Sequence, residues 1–471
     1  MKFASFAFIF LILCAKFLLT GCANIIPPTG GPKDSLPPVL VSANPDNYSI
    51  HFRGNQIILT FDEYLELNNV RQNMVVSPVP RQDPVIESRL KTITVRLKDT
   101  LKPNTTYSLN FGKAIRDINE GNILRNFTFV FSTGPYIDSM QFSGRVVIAS
   151  TGRPDSTLIV MLHTNLDDSA VYKERPRYFT TVDSAGNFRF RYLKEGTYAV
   201  YALKDESGQK KYTSKAQLFA FADSPIVVRE NYSPVMLYAF QDTSGIKLPK
   251  RSVKKPTAPT KEAKEKKEKR LVVGVNLAGG QLDLLDTFKI TFQSPIKYFD
   301  TTKIRFTDEK FNDLTGYHFV EDTNRKKVTM YYKWKPDTKY ALIVGKDFAE
   351  DTAGDKLLKI DTLIFQTRKE SDYGEVRIRF KNVDLSKNPV LQFVQGDAIK
   401  RTYVLGPSKS FYDKLFPPGD YELRILEDRN RNGVWDPGDF FGKRLQPEKV
   451  RPIRRKLTVK SNWENEFDIT L

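Results

Sequence analysis

The sequence predicts an all-β protein built of tandem β-sandwich modules, and two patterns carry this prediction. Apolar and polar residues alternate along many short segments, as in TITVRLK, where Ile93, Val95 and Leu97 fall on one face. This period of two is typical of a half-buried strand. Long stretches also recur at constant offsets, so whole modules are repeated. Turn signals at short intervals complete the pattern of a sandwich protein.

The N-terminus predicts an export signal over residues 1–21. Lys2 supplies a basic start, and the apolar stretch over residues 4–15 is shorter than the ~20 residues that span a bilayer. The segment LLTGC, which ends at Cys22, resembles the lipobox of bacterial lipoproteins. This resemblance implies cleavage before Cys22, its acylation and anchoring in a membrane. The alternative is an ordinary secretory signal, but Cys22 would then be an unpaired thiol in an exported protein, because Cys14 lies within the signal.

Two further segments are predicted to lie outside the modules. Residues 22–35 are rich in Pro and Gly and form a tether behind the lipid anchor. Residues 243–270 form a basic linker, since residues 247–270 contain eleven Lys/Arg and three Glu, a net charge of +8. A solvated spacer is the favoured interpretation; contact with an anionic surface or an acidic partner is the alternative.

The rest of the positive charge is thinly spread. The chain carries +18 at pH 7, and removal of the signal with Lys2 and Lys16 leaves +16, of which the linker holds half. A nucleic-acid-binding protein would concentrate this remaining positive charge on one face, so nucleic acid is not an expected partner.

Two repeats interleave along the chain. Residues 102–121 align without a gap against residues 335–354, so that Pro103 and Tyr107 match Pro336 and Tyr340. In the second repeat, Gly196, Tyr198 and Asp205 match Gly419, Tyr421 and Asp428. The predicted modules therefore follow the order A (residues 36–135), B (136–242), A′ (271–369) and B′ (370–471).

These motifs resemble known families. Module A is similar to the SbsA-type bacterial Ig-like domain through Thr60, Phe61 and Glu63 on one strand, the LxPxTxY motif from Leu101 to Tyr107, and a closing FxT strand. Module B, through its Gly-x-Tyr turn, resembles prealbumin-like sandwiches of the carboxypeptidase regulatory and Cna-B types. The whole chain resembles outer-membrane lipoproteins with tandem Ig-like domains, which implies no enzymatic activity.

The segment LEDRNRNGVWDPGDF has the spacing of a calcium loop. Oxygen side chains at alternate positions can converge on a hard cation, and a glycine permits the sharp turn. Two features depart from the pattern: position 12 is Asp instead of Glu, and a Pro-Gly pair forbids an exiting helix. A structural Ca²⁺ is favoured over a metal-free hairpin with Asx-turns. The predicted ligands are Asp428, Asn430, Asn432, Val434 through its carbonyl, Asp436 and Asp439.

Catalytic patterns are scarce. The three histidines are isolated, no nucleophile-elbow or zinc-protease motif occurs, and Asp62 and Glu63 are strand neighbours that point to opposite faces. We therefore expect a non-enzymatic lipoprotein of the cell outer membrane that acts as a scaffold or protein-binding component, with a β-barrel assembly as a candidate partner. Which face of the membrane it occupies stays open.

Two other functions compete with the scaffold. Glycan or cell-wall-polymer binding would use exposed aromatic residues, for which Trp435 and Tyr421 are candidates, although tyrosines of Gly-x-Tyr turns usually pack at sandwich corners. A hydrolase would need a cleft with converging acids or histidines.

Overall fold

The computed structural model describes residues 33–229, 234–242 and 270–471. The predicted signal peptide, the lipidation site Cys22, most of the tether and all of the basic linker except Arg270 lie outside the described residues. The described chain is almost entirely β, which confirms the predicted fold class. Its helices are short, and none of those described is long and apolar enough to cross a membrane.

Module A contains three sheets around one core. The sheets have the orders β1-β2-β6-β5, β10-β7-β4 and β3-β8-β9, and their buried residues form one cluster that includes Phe61, Phe111 and Phe131. The elements are β1 (Leu40–Asn44), β2 (Gln56–Phe61), β3 (Leu65–Leu67), α1 (Val70–Asn73), β4 (Val75–Ser77), β5 (Val85–Arg89), β6 (Thr92–Arg96), β7 (Thr106–Asn110), β8 (Ile115–Asp117), β9 (Ile123–Leu124) and β10 (Thr128–Ser132).

Module B packs two sheets face to face. The first has the order β14-β11-β18, with β11 and β18 parallel; the second has the order β13-β12-β15-β16, and β17 also pairs with β15. The elements are β11 (Met140–Ile148), β12 (Leu158–His163), α2 (Ala170–Lys173), β13 (Tyr178–Thr181), β14 (Asn187–Leu193), β15 (Gly196–Lys204), β16 (Phe219–Phe221), β17 (Ile226–Val228) and β18 (Val235–Ala239).

Module A′ has its own core between two four-stranded sheets, of orders β19-β21-β25-β24 and β20-β28-β26-β23, with β22 paired to β27. The elements are β19 (Val273–Val275), β20 (Gln281–Leu282), β21 (Phe288–Phe292), β22 (Ile296–Phe299), a 3-10 helix (Thr301–Lys303), β23 (Ile304–Asp308), β24 (His318–Glu321), β25 (Lys327–Tyr331), β26 (Lys339–Val344), β27 (Ala349–Asp351) and β28 (Asp361–Thr367).

Module B′ repeats the two-sheet plan of B, with the orders β32-β29-β35 and β31-β30-β33-β34 and with β29 parallel to β35. Two 3-10 helices cover Glu370–Asp372 and Leu385–Lys387. The strands are β29 (Gly374–Lys381), β30 (Pro389–Gln395), β31 (Ala398–Val404), β32 (Ser410–Phe416), β33 (Gly419–Glu427), β34 (Lys449–Val459) and β35 (Glu464–Thr470).

Local hydrogen bonds explain why the LxPxTxY motif recurs. The Tyr107 hydroxyl accepts a hydrogen bond from the Lys102 amide at 2.8 Å, and in A′ the Tyr340 hydroxyl accepts one from the Lys335 amide at 3.2 Å. The Gly-x-Tyr motif does similar work in B and B′, where Tyr198 donates to the Lys194 carbonyl and Tyr421 to the Pro417 carbonyl. Each tyrosine closes the turn that precedes its strand and satisfies a backbone group there.

Candidate functional site: the loop between β33 and β34

The calcium-type sequence lies on the long connection from β33 to β34 in module B′. Asp428 begins this loop and is 1% exposed. Its two carboxylate oxygens accept hydrogen bonds from the amides of Asn432 at 3.3 Å and Gly433 at 2.7 Å. Gly433 has a φ of +77°, a conformation that glycine adopts without steric strain. The first half of the loop therefore turns tightly around the Asp428 carboxylate.

The structure brings three more of the predicted ligands together. Asp436 Oδ2 accepts hydrogen bonds from the side-chain amides of Asn430 at 2.6 Å and Asn432 at 2.8 Å. The amide oxygens of the two asparagines accept backbone hydrogens within the loop instead. Each amide would have to turn its oxygen inward before it could bind a cation.

Asp439, another predicted ligand, lies in a different turn. Both carboxylate oxygens of Asp439 accept backbone hydrogens, from Gly442 at 2.8 Å and Lys443 at 3.0 Å, so Asp439 closes the next turn of the chain. Val434, whose carbonyl was the predicted ligand, stays within the loop, where its amide donates to Asn432 Oδ1 at 2.7 Å.

Glu448, which the sequence did not indicate, holds the loop closed. It is 2% exposed, and its carboxylate accepts hydrogen bonds from the amides of Arg429 at 2.7 Å and Asp436 at 3.1 Å. Burial raises the pKa of Glu448, and the neighbouring Asp428 and Asp436 raise it further. No ligand-spacing rule points to a residue twelve positions after Asp436. The only sequence signal is an acid beside Pro447 at the start of β34.

Within the described ranges, no group of three or more His, Cys, Asp or Glu side chains is arranged to hold a metal ion. Although the ligand chemistry of the loop suits calcium, the amide orientations and the role of Asp439 do not fit an ion in this conformation. Binding of Ca²⁺ stays a prediction.

The second half of the same connection packs against module B. We call residues 435–450 the clamp. Phe440 is 4% exposed and inserts into an aromatic cluster of B, with ring centroids 5.7 Å from Tyr201, 5.0 Å from Phe219 and 4.9 Å from Phe221. Buried aromatic pairs at these separations contribute ~0.5–1.5 kcal/mol each beyond the burial of their area.

Polar contacts surround this aromatic insertion. The Arg444 guanidinium forms an ion pair with Asp168 of B and lies 5.4 Å from the centroids of both Phe221 and Phe440. The Gln446 side chain donates to the Phe221 carbonyl at 2.9 Å. The Val450 amide donates to the Ala149 carbonyl at 2.9 Å. Backbone and side chains thus both join the two modules.

Close backbone approach is required where the clamp crosses B. A β-carbon on Gly438 would lie 2.6 Å from the Phe240 ring and 2.7 Å from the Leu445 carbonyl oxygen. Farther along the same interface, Arg153 of B forms an ion pair with Glu422 of β33, and this contact lowers the pKa of Glu422. The elaborated loop of B′ is therefore an interdomain contact, a role that its calcium-type spacing does not indicate.

The aromatic residues that were candidates for glycan binding serve the packing of B′. Trp435 is half-buried and donates from Nε1 to the Glu448 carbonyl at 2.7 Å. Tyr421 is 4% exposed and contacts the Phe416 and Phe393 rings in the core. Tyr421 lies in the core of B′, and Trp435 packs against apolar clusters of both B and B′.

The side chains considered for catalysis do not converge. His163 is buried in B, whereas His51 and His318 are exposed in A and A′. Asp62 accepts a hydrogen bond from the Val39 amide at 2.7 Å. Burial and the adjacent Asp62 raise the pKa of Glu63.

Comparison with known proteins supports the Ig-like fold. Residues 34–133 match a family model described as a bacterial Ig-like domain, Big_5, and this range corresponds closely to module A. No curated protein matches the sequence.

Solved structures similar to this chain include part of alpha-2-macroglobulin from Escherichia coli, at 15% identity over 39% of this chain and 71% of that one, with a TM-score of 0.20. The Bacillus anthracis TIE protein matches at 11% identity over 94% of this chain and 75% of that one, with a TM-score of 0.17. The N-terminal part of the bacterial S-layer protein SbsC matches at 16% identity over 43% and 44% of the two chains, with a TM-score of 0.16.

Proposed function

We propose that this chain is a non-enzymatic scaffold of the bacterial cell envelope, anchored to the outer membrane by a lipid on Cys22. The observation that carries the proposal is the clamp, which fixes the second pair of modules on the first. A scaffold must hold its binding surfaces at fixed separations, and a contact made of Phe440, Arg444 and Val450 serves that purpose. Loops on such a rigid frame are available to bind a partner.

The lipid anchor is supported by the sequence alone. Signal cleavage before Cys22 would leave a mature chain whose one cysteine carries acyl chains, and more than one chain gives stable attachment to a bilayer. Residues 22–35 would then act as the tether between the membrane and module A.

The anchor is tested in the bacterium that makes the protein. Cys22→Ala should abolish labelling by a palmitate analogue and leave the signal uncleaved, because the same motif directs cleavage and acylation. Cys14→Ala is the matched control, because Cys14 lies in the predicted signal, and it should leave both readouts unchanged. Undiminished palmitate labelling of the Cys22→Ala protein would refute the lipid anchor.

The scaffold role is tested by gentle detergent purification of the native protein and identification of what copurifies. A β-barrel assembly of the outer membrane is the partner that we expect. Phe440→Ala should reduce recovery of the partner, because the clamp fixes the relative positions of the modules. Recovery of the chain alone, under conditions that preserve other envelope complexes, would contradict the scaffold.

A further inference from the structure

A cleft of about 1660 Å³ separates modules A and B. One wall is the outer face of the β10-β7-β4 sheet of A, with Ser108, Asn110 and Thr128 on the surface of the cleft. The other wall is the outer face of the β14-β11-β18 sheet of B. Small-molecule pockets usually enclose ~300–1,000 Å³, so this cleft has room for several units of a polymer.

Two bridges between A and B fix the distance across the cleft. The Tyr48 and Tyr192 hydroxyls lie 2.7 Å apart in a hydrogen bond between the modules. At a second place the Val79 amide donates to the Arg177 carbonyl at 2.9 Å, and Arg175 donates to the Pro80 carbonyl at 3.0 Å. The two walls are therefore preformed rather than assembled by a ligand.

Four of the five cations that line the cleft lack acidic partners; the fifth, Arg229, forms an ion pair with Glu195 at 3.7 Å. Lys113, Arg145, Arg189 and Arg191 all line it and are exposed. Arg145 donates to a backbone carbonyl at 2.9 Å and Arg189 to the neutral amide of Gln141 at 3.1 Å. Within the described parts of the chain, none of these four cations forms an ion pair with a carboxylate.

The single carboxylate of the lining does not compensate this charge. Asp183 Oδ1 accepts the backbone hydrogens of Ala185 at 2.9 Å and Asn187 at 2.7 Å. The four unpaired cations and this carboxylate leave a net charge of about +3 on the walls, since Glu195 offsets the charge of Arg229.

Module B′ provides an internal comparison, because β29 and β35 occupy the positions that β11 and β18 hold in B. Arg379 of β29 binds Asp468 at 2.9 Å and also binds Glu466, both on β35. In B, the residue of β18 that pairs in register with Arg145 is Met236. Carboxylates therefore neutralise this sheet face in B′, whereas the same face stays cationic in B. The fold does not require the unpaired arginines.

The uncharged side chains of the lining indicate what kind of anion the cleft would bind. The walls are sheet faces, so a ligand that lies across them meets outward-facing side chains. These side chains are rich in hydroxyl and amide groups, at Ser77, Ser108, Asn110, Asn126, Thr128 and Ser143. Hydroxyl and amide groups both donate and accept hydrogen bonds, as sugar hydroxyls do, so this lining suits a sugar chain.

We propose that the cleft between A and B binds an anionic polysaccharide, a sugar chain bearing carboxylate or phosphate groups. Arg189 and Arg191 would bind the charged groups through charge-assisted hydrogen bonds, and the amides and hydroxyls of A would bind the sugar hydroxyls. This site uses none of the aromatic residues of B′ and does not depend on the lipid anchor or on a protein partner.

The proposal is tested by isothermal titration of the detergent-solubilised full chain with octameric galacturonate, a phosphorylated mannan fragment, neutral maltooctaose and an octa-glutamate peptide. At least one of the anionic sugars should bind, more weakly as salt rises. Maltooctaose and the peptide should bind at least about tenfold more weakly, since each lacks half of the recognised chemistry. The sugar that binds identifies the charged group as carboxylate or phosphate.

Charge-removing variants locate the site. R189Q/R191Q should weaken binding by at least about tenfold, and the matched control R377Q/R379Q on the corresponding face of B′ should leave it unchanged. If R189Q/R191Q fails to fold by circular dichroism, K113Q/R145Q replaces it. Undiminished binding by the folded variant, failure of both anionic sugars to bind, or tighter binding of the peptide would overturn the proposal.

Discussion

At the residue scale, His163 shows how burial sets the charge state of a side chain. It lies at the end of β12, is 2% exposed and packs edge-on against the Tyr201 ring. Its Nε2 has no hydrogen-bond partner in the described structure. Desolvation therefore lowers the pKa of His163 from 6.5 to about 4. A charged imidazole would be poorly solvated there, so the folded module favours the neutral form.

This shift predicts a pH-dependent stability of module B. The unfolded chain takes up a proton below pH 6.5 while the folded chain does so only near pH 4. The free energy of unfolding should be highest above pH 6.5 and should fall by roughly 3 kcal/mol as the pH drops to about 4. His163→Leu should remove this loss in urea titrations at pH 7 and pH 4.5.

The control for this prediction is His318→Gln, since His318 is exposed on β24 of module A′. That substitution should leave the pH dependence of module B unchanged. An unaltered dependence in the His163→Leu protein would show that another group is responsible.

The predicted calcium site is also decided by a few residues. Ca²⁺ should raise the unfolding midpoint of the chelator-treated protein, and Asp428→Asn should abolish the increase, because Asp428 is the first ligand of the loop. Asp205→Asn is the matched control: Asp205 holds the corresponding position in B, where the loop is shorter, so the Ca²⁺ effect should persist. Identical melting curves with Ca²⁺ and with chelator would contradict the predicted calcium site.

At the scale of elements, the connection between β33 and β34 has two roles, and a different half of its sequence carries each one. The oxygen-rich first half closes on itself through Asp428 and Glu448. The aromatic second half leaves B′ and enters B. A rigid first half fixes the direction of the second, so the turn chemistry and the interdomain contact depend on each other.

The clamp predicts a specific loss of stability. Truncation of a buried Phe to Ala costs roughly 3–5 kcal/mol, since it removes apolar burial and leaves a cavity. Phe440→Ala should therefore lower the unfolding midpoint and increase the rate of proteolysis at the interface between B and B′. Phe311→Ala is the control, because Phe311 is 54% exposed and lies in module A′. Equal stability of the two variants would show that Phe440 contributes no more than a surface ring.

At the scale of the whole molecule, the clamp makes the two pairs of modules interdependent. We expect cleavage at a protease site introduced after Pro256 to leave both fragments associated, because the ion pair of Arg444 and the insertion of Phe440 remain. After the same cleavage, Phe440→Ala should separate them in size-exclusion chromatography. Separation of the wild-type fragments would mean that the linker holds the pairs together.

Much of the fold followed from local patterns. The alternation in TITVRLK predicted β6, where Ile93 and Val95 are buried at 0% and 1% exposure. The recurrence of Tyr107 as Tyr340 marked equivalent turns, since each tyrosine closes its turn through a residue five positions away. Patterns of this kind are readable because the contacts behind them lie within a few residues of one another.

The site was less predictable. The sequence indicated a closed loop around Asp428, but it included Asp439 among the ligands and did not indicate Glu448. Glu448 lies beside the loop only because β34 pairs with β33. Phe440 inserts between aromatic rings of B that lie more than 200 positions earlier in the chain, and no local pattern indicates this contact. Arg145 of β11 likewise resembles Arg379 of β29 until the partner strands show Met236 beside the first and Asp468 beside the second.

The sequence by itself determined the all-β class, the A-B-A′-B′ order and the turn chemistry, because strand alternation and short-range hydrogen bonds are properties of neighbouring residues. Only the tertiary structure decided which module the B′ loop contacts and which arginines lack a carboxylate. Those outcomes depend on side chains from strands far apart in the chain, whose meeting is set by the packing of the modules and leaves no periodicity in the sequence.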